Sequence, residues 1–409
     1  MTPLADAQAF VWGHCAPLPV ISTSPTNAAG YVLAADVIAP EPVPPFANSA
    51  LDGYAVVAAD LATASAGSPV ELPVVAEVAA GTATDHVLQR GEAIRIMTGA
   101  PVPAGADAVV MVEDTERLDG GARVSIRAAV DAGAAVRPAG SDIGAGDVVV
   151  TAGTVVTPAV VGVLASANAQ AVQVHRRARV AVLATGDELV TDGGPLGPGQ
   201  IRETNLSMLV AALADAGCNV DDFGVVPDDE AQLEAVLRQA AAECDAIVTS
   251  GGVSMGDYDV VKAVLGRIAD MHWMQIAIKP AKPFAFGLLA AGEGPATPIF
   301  GLPGNPVSAL VSFEMLARPA LRQMMGHERI GRTRVVAVAD AGITRRTDGK
   351  LHLDRVIAEW GTDGRCHVRS ARAQGSHQLA ATATANAIAE VPDGSGVAPG
   401  GDVVVHLLS

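Results

Sequence analysis

Aromatic side chains are scarce here: 409 residues hold three Trp, three Tyr and seven Phe. Half the sequence is hydrophobic all the same, so Ala, Val and Leu must build the core, and little polar low-complexity material is left to favour disorder. Charge is sparse too, at 17% of residues, and unbalanced: 27 Lys and Arg stand against 44 Asp and Glu, a formal charge of -17. A nucleic-acid-binding protein needs a basic stripe, and none is present; an anionic membrane surface is disfavoured for the same reason. A small anionic ligand stays open, provided that a few Lys and Arg converge locally, although the long-range field would not steer it in.

The four cysteines, Cys15, Cys218, Cys244 and Cys366, form no CxxC. Disulfide-framework and zinc readings both fail on spacing, and buried free thiols in a reducing compartment fit better. The opening Met1-Thr2-Pro3-Leu4-Ala5-Asp6 lacks the basic and then apolar regions of a signal peptide, so the expectation is a cytoplasmic protein. From Val148 to Val174 no residue is charged, a length that could cross a bilayer. Gly153, Pro158, Asn168, Gln170 and Gln173 interrupt it, however, and it reads as a buried strand–helix–strand unit. Thr157 is the expected N-cap there, with Pro158 at the first helical position.

The chain is too long for one ordinary core, and two to four domains are expected. Short extended runs and frequent turns mark about 40 to 150 as β-rich, with helical segments before and after. From about 178 strands and helices alternate. Arg179 to Ala184, Val220 to Val226, Ala246 to Thr249, Ile276 to Ile278 and Pro298 to Phe300 read as strands. Asn205 is the expected cap of a helix through Ala216, Asp228 or Asp229 caps the next, and Asn305-Pro306 opens a long one ending near Met325. This alternation predicts a doubly wound α/β domain. The boundaries expected are 1–177 for N-terminal helical and β-rich lobes (a β-rich insertion at about 50–137), 178–327 for the α/β domain and 328–409 for a small β-domain.

In an open parallel sheet, ligands bind beyond the carboxyl ends of the strands. Those positions carry Thr185-Gly186-Asp187-Glu188-Leu189, the run Ser250-Gly251-Gly252-Val253-Ser254-Met255-Gly256-Asp257-Tyr258-Asp259, and Gly301-Leu302-Pro303-Gly304-Asn305-Pro306-Val307-Ser308. Successive backbone N–H groups in such turns can cradle an anion. Gly251 to Gly256 has P-loop spacing, but Asp257 sits where Lys is required, and no GxGxxG follows a strand. An ordinary NTPase and a Rossmann dehydrogenase are thereby excluded. Lys279 and Lys282, in Ile278-Lys279-Pro280-Ala281-Lys282-Pro283-Phe284, are the best local cation pair. The flanking prolines are expected to hold that segment extended. Two like charges beside three anion-type turns call for a compensating anion; the plainer reading is a solvated loop. Asp52-Gly53 and Asp187-Glu188 could equally be turn chemistry, Asp142 could cap or turn the chain, and His377 reads as a packed or solvated imidazole.

These segments resemble MoeA-type molybdopterin molybdotransferases, whose α/β element also occurs in the E domain of gephyrin. Pro45-Phe46-Ala47-Asn48-Ser49-Ala50-Leu51-Asp52-Gly53-Tyr54-Ala55, Arg95 through Pro103 around Thr98-Gly99-Ala100-Pro101, and Val136-Arg137-Pro138 through Asp142 are similar to that family's N-terminal motifs. The resemblance runs over about residues 1–409. It implies a helical and β-rich N-terminal half, a molybdopterin-binding α/β domain and a C-terminal β-barrel. It also implies a homodimer in which Asp52, Thr98 and Asp142 face the partner's α/β site.

By the same resemblance Glu188 and Asp259 hold a divalent cation, Mg²⁺ or another, and Asp228 helps bind ligand or metal. Lys279, Lys282, Ser308, Arg355 and Ser376 match the molybdate positions. Adenylylated molybdopterin is expected on Gly186, Ser250, Gly251, Gly252, Ser254 and Gly256, and on Pro303, Asn305 and Pro306. Molybdate is a tetrahedral dianion that Lys, Arg and hydroxyl donors suit, and its dithiolene sulfurs come from the substrate, so no protein thiol is needed. Leu51 stands where many relatives have Met, and Leu353-Asp354-Arg355 is a loose match to the family's Phe-x-Arg. Rival expectations are a molybdopterin adenylyltransferase, disfavoured by the full N- and C-terminal parts, and a non-catalytic scaffold.

Overall fold

A strand whose middle is apolar on both sides must be covered on both faces, and Arg179–Thr185 (β1) is such a strand: Val180 through Ala184 are all buried. It belongs to a computed structural model that describes residues 1–252, 260–290, 292, 294–371 and 373–408. The chain divides into two compact units. One comprises Met1–Ile21, Gly30–Ala34 and Gln173–Ser409; the other comprises Ser22–Ala29 and Ala35–Val172.

In the first unit β1 lies in a six-stranded sheet with Asn219–Val226 (β2), Ala246–Ser250 (β3), Asp270–Gln275 (β4), Pro283–Leu289 (β5) and Thr297–Leu302 (β6). The order is β2-β1-β3-β6-β5-β4; the first four are mutually parallel, while β5 runs antiparallel to both β6 and β4. The helices of this unit are Leu4–Gly13 (α1), Asn205–Asp215 (α2), Glu230–Glu243 (α3), Val260–Ile268 (α4), Pro306–Ser312 (α5) and Arg318–Met324 (α6). Val180, Val182 and Ala184 pack with α1, α2, α5 and α6 on one face, and Ala181 and Leu183 with α3 and α4 on the other. That is the doubly wound, three-layer arrangement the alternation of elements predicts.

Of the two expected caps of α3, Asp229 is the one that serves, accepting from the Gln232 N–H at 2.8 Å. Other local details depart from the sequence reading. Asn205 does not cap α2. It is the first helical residue, and Glu203 instead accepts from the Leu206 N–H at 2.6 Å. The apolar run Ile276 to Ile278 does not continue the sheet: β4 ends at Gln275, and Ile278–Lys279 pairs elsewhere. Nor is the lysine segment simply extended, since the Lys279–Pro280 peptide is cis and Ala281 has φ 74°.

The long helix after Asn305 is interrupted by a π-turn at Phe313–Ala317 between α5 and α6. Pro319 has no N–H to return to the Met315 carbonyl. That carbonyl accepts from Gln8 Nε2 of α1 at 3.0 Å, and the next, Leu316, from Trp12 Nε1 at 3.3 Å. The same turn buries Glu314, which receives Arg332 through two bonds of 2.9 Å and lies 3.8 Å from the buried Arg318.

After α6, Arg334–Ala339 (β7), Leu351–Trp360 (β8), Cys366–Ser370 (β9), Ala387–Val391 (β10) and Gly401–Leu407 (β11) pair in the ring β8-β9-β7-β11-β10, closed by β10 against β8. This five-stranded barrel is filled by small aliphatic side chains including Ala337, Val356, Val368, Ala389, Val403 and Val405. Closure removes the exposed strand edges that so short a sheet would otherwise leave.

The second unit holds a sheet ordered Ala108–Met111, Gly53–Val56, Ala93–Ile96, Val70–Val78, Arg123–Ile126 and Thr115–Leu118. Two small cores form from its residues, one around Tyr54, Val56 and Ile126 and the other around Ala55, Ile94 and Ile96. The uncharged stretch after Val148 does form a strand, a helix, Pro158–Ser166, capped by Thr157, and a second strand, Val172–His175. It is not a buried unit, however. Leu164 is the only buried residue of that helix, and Val148, Val155 and Val163 are exposed, because one short helix has few residues to turn inward. Among the described residues no helix is long and apolar enough to cross a membrane.

The buried Glu314 offers a direct check on packing around the π-turn. Glu314→Leu leaves Arg332 and Arg318 short of their counter-charge in the interior, and should cost about 3 kcal/mol of stability. Urea denaturation measures it; a midpoint unchanged from wild type would show that the pair contributes nothing.

Candidate functional site

The register of the parallel strands decides where the loops meet. Ala184 lies opposite Ser250, Ser250 opposite Leu302, and Thr185 opposite Val226. The segments that follow β1, β3, β6 and β2 therefore leave one edge of the sheet at nearly the same level. The Gly251 N–H donates to the Leu302 carbonyl at 3.1 Å, and the buried Asn205 amide donates to Ser250 Oγ at 2.8 Å and to the Gly304 carbonyl at 2.7 Å. One side chain of α2 thus ties the carboxyl end of β3 to the loop after β6. Gly252 has φ 72°, and a Cβ there would stand 2.1 Å from Val261 Cβ, so no other residue fits. Ser254, Gly256 and Asp259 lie outside the described residues.

Carboxylates gather at the β1 and β2 ends of this edge. Asp187 Oδ1 accepts from the Asp228 N–H at 3.2 Å. Burial raises the Asp228 carboxyl above its ordinary value, and the negative charges of Asp187 and Glu188 add to the rise, against the Asp187 backbone contact. Such a place favours a proton or another cation. Among the described residues no group of three His, Cys, Asp or Glu is arranged to hold a metal ion. Asn305 occupies the cap position of α5 but makes no capping bond with its side chain.

The basic residues gather separately. Lys279, Lys282, Asn305, Ser308, Lys350, Gln374, Ser376 and His377 line a pocket of about 470 Å³ together with the Pro280–Pro283 backbone and Gly375. Not one of its lining residues is a carboxylate, in a chain whose formal charge is -17. Lys279 and Lys282 are exposed, with no ion-pair partner among the described residues, and Ser308 is buried. Parallel pairing of Ile278 with Leu351 and Lys279 with His352 brings the start of β8 against the lysine segment. The Val307 N–H donates to the Ser376 carbonyl at 3.1 Å, which fixes the other wall.

Arg355 is not part of that wall. It is 1% exposed, and its Nη2 donates to the carbonyls of Ala373 at 2.5 Å and Gly375 at 3.4 Å. Its backbone brackets the Gln374 amide, the N–H donating to Oε1 at 3.0 Å and the carbonyl accepting from Nε2 at 2.8 Å. Arg355 therefore holds the segment that carries Ser376, and among the described residues its Nε and Nη1 have no partner.

In the second unit Asp52 and Thr98 meet. Asp52 Oδ1 accepts from the Thr98 N–H at 2.7 Å and from its hydroxyl at 2.8 Å. These bonds, the backbone one first, hold the Asp52 carboxyl below its ordinary value and keep an exposed charge ionised. Asp142 is exposed, its N–H bonded to the Val43 carbonyl at 3.0 Å.

Comparison with known proteins identifies the kind of chain this is. The MoeA N-terminal region (domain I and II) matches residues 2–168, the "Probable molybdopterin binding domain" residues 181–323, and the MoeA C-terminal region (domain IV) residues 339–408. Molybdopterin molybdenumtransferase 2 of Mycobacterium tuberculosis (strain CDC 1551 / Oshkosh) is 44% identical over 377 residues, 90% of each chain. The chain belongs to the molybdopterin molybdenumtransferase family. The enzyme of that name from Haemophilus influenzae (strain ATCC 51907 / DSM 11121 / KW20 / Rd) is 36% identical over 387 residues, 93% of each chain. A crystal structure of the molybdopterin biosynthesis MoeA protein from Pyrococcus horikoshii OT3 aligns at TM-score 0.82 and 28% identity, covering 100% of both chains.

Membership of the molybdenumtransferase family makes the residues that sequence reasoning passed over more telling. Asp187 stood in a motif as turn chemistry yet contacts Asp228; Asn205 was expected to cap a helix and ties a strand end to a loop. Lys350 carried no motif at all, and only its place at the start of β8 could have pointed to it. The Asp52–Thr98 contact has a readable consequence. The Asp52 carboxyl titrates below its ordinary value of 3.8 in the folded chain, so its contribution is complete above that value and is lost as pH falls through the folded midpoint. Thr98→Val removes the hydroxyl bond and should move the Asp52 midpoint upward without reaching 3.8, since the backbone bond remains. A carbonyl-carbon NMR titration reads this directly, and an unmoved midpoint would contradict it.

Proposed function

We propose that this chain inserts molybdate into adenylylated molybdopterin, releasing AMP and the completed molybdenum cofactor. The observation that carries this reading is the pocket lined by Lys279, Lys282, Ser308 and Ser376 without a single carboxylate, beside phosphate-type turns, in an otherwise strongly acidic chain. Hydroxyl and ammonium donors of that kind suit a tetrahedral dianion, and they sit where the α/β sheet delivers Asn305 and Ser308 at the start of α5. Family membership supplies the rest: relatives covering nine-tenths of the chain bear the name molybdopterin molybdenumtransferase.

On this reading Lys279, Lys282, Ser308 and Ser376 hold molybdate. The turns at Gly186, Ser250-Gly251-Gly252 and Pro303-Gly304-Asn305-Pro306 hold the nucleotide substrate, with Ser254 and Gly256 expected beside them. Backbone N–H groups in these turns take the phosphates, and the Asn205 clamp keeps two of the turns at fixed separation. The carboxylates of Asp187, Glu188 and Asp228 make this end of the edge cation-seeking, which fits a divalent cation such as Mg²⁺ held by Glu188 together with Asp259, the second ligand expected from the sequence. Such an ion would neutralise charge on the phosphates as the anhydride breaks. The protein's own part is to align the two anions and keep them in separate subsites.

In a homodimer Asp52, Thr98 and Asp142 of one subunit would complete the site of the other. The exposed Val148, Val155 and Val163, in the unit that carries them, are apolar surface that assembly could cover. Four buried free cysteines accord with a reducing, cytoplasmic setting.

AMP release from adenylylated molybdopterin, with molybdate and without it, tests the proposal. Lys279→Ala should raise the molybdate concentration for half-maximal release by about ten- to a hundredfold while leaving nucleotide-substrate affinity nearly unchanged. Glu188→Gln should abolish turnover in a folded protein. Molybdate-independent release in the wild type, or a Lys279→Ala variant that loses the nucleotide substrate and keeps its molybdate response, would overturn the assignment.

A further inference from the structure

The resemblance gives the molybdate site a third cation from the barrel, Arg355, but in this chain Arg355 is absent from the pocket lining and its Nη2 is turned to backbone carbonyls. Two carbonyls of the Ala373–Gly375 segment take its Nη2, and the side chain is 1% exposed. A different barrel residue lines the pocket, Lys350. Its position is set by the backbone on both sides. The next residue, Leu351, donates its N–H to the Ala277 carbonyl at 2.8 Å and pairs with Ile278, while the Lys350 carbonyl accepts from Arg345 Nη1 at 2.8 Å. The ladder that carries Lys279 into the pocket therefore carries Lys350 with it.

The charge of Lys350 is only loosely paired. Among the described residues the one carboxylate within 4 Å of its Nζ, Asp348, lies at 3.8 Å, longer than a hydrogen bond. That carboxylate is held more closely by Arg345 at 2.7 Å and by His352 at 3.2 Å, and Arg345 also reaches Asp393 at 2.7 Å. Asp348 is thus shared among Arg345, His352 and Lys350, and Lys350 is the most distant of the three. Unlike the exposed Lys279 and Lys282, Lys350 is half-buried, so salt screens its field less. We propose that Lys350 is the third cationic ligand of this oxyanion pocket, in the role that the resemblance assigns to Arg355. The inference rests on the reading of the pocket as the molybdate subsite.

Calorimetric titration of the full-length protein with sodium molybdate, at low and at moderate ionic strength, tests it. The variants are K350M, K350R and R355M, with K350Q in reserve if K350M does not fold. K350M should weaken molybdate binding about tenfold and flatten its dependence on salt, because one charge fewer meets the dianion. K350R should stay within about threefold of wild type, since the charge is kept and its shape altered. Binding of adenylylated molybdopterin and the melting temperature of K350M should match wild type, which a merely structural lysine would not allow. The inference is overturned if K350M binds molybdate like wild type, if it loses both ligands together, or if R355M alone weakens molybdate without loosening the fold. A wild-type protein that takes up no molybdate would instead defeat the functional reading on which this one stands.

Discussion

Two parallel backbone pairings, Ile278 with Leu351 and Lys279 with His352, hold the barrel's longest strand against the loop that leaves the α/β sheet. The anion pocket exists because of that contact. From the sheet side come Lys279, Lys282, Asn305 and Ser308; from the barrel side come Lys350, Gln374, Ser376 and His377. Neither set makes a site alone. Lysine charges brought this close repel one another, and the repulsion is tolerated because the backbone ladder, the Val307–Ser376 bond and the Arg355 clamp fix the walls independently of the charges. A pocket built in this way is preorganised for an anion.

A formal charge of -17 and an anion site are compatible once distance is considered. Screening confines exposed charges to roughly 10 Å at ordinary salt, so the distant acids lower the rate of encounter more than they weaken a bound oxyanion. What matters at the site is the local count, and the pocket lining is free of carboxylates. The acids that do lie at the sheet edge, Asp187, Glu188 and Asp228, follow the other strands, β1 and β2, where a cation would be at home. The edge is thus divided by sign, and the division follows strand order.

Much of this was legible in the sequence, for reasons that can be stated. β1 and β3 are buried on both faces and read as short, largely apolar runs, and Thr157-Pro158 ahead of an apolar stretch is helix-start chemistry. The lysine pair and the three turn motifs were found because rules of position, at the carboxyl ends of parallel strands, say where to look. What escaped notice was set by tertiary partners. The run Ile276 to Ile278 has the hydrophobicity of a sheet strand, but hydrophobicity does not name the strand it pairs with. Asn205 can cap a helix or donate to distant loops, and its neighbour Glu203 took the first role. The π-turn depends on Pro319 together with the side chains of Gln8 and Trp12, some 300 positions away. Arg355 loosely matched a motif, yet which carbonyls its guanidinium meets is settled by the Ala373–Gly375 segment.

The claim on which the account turns is that this cationic pocket, formed within one compact unit of the chain, is where the oxyanion sits. A crystal of the protein soaked in molybdate or tungstate, with data collected at the metal's absorption edge, tests it most directly. The account predicts a single strong anomalous peak among Lys279, Lys282, Ser308, Lys350 and Ser376. A peak on the turns at Gly186 and Gly251, with that pocket empty, would contradict it.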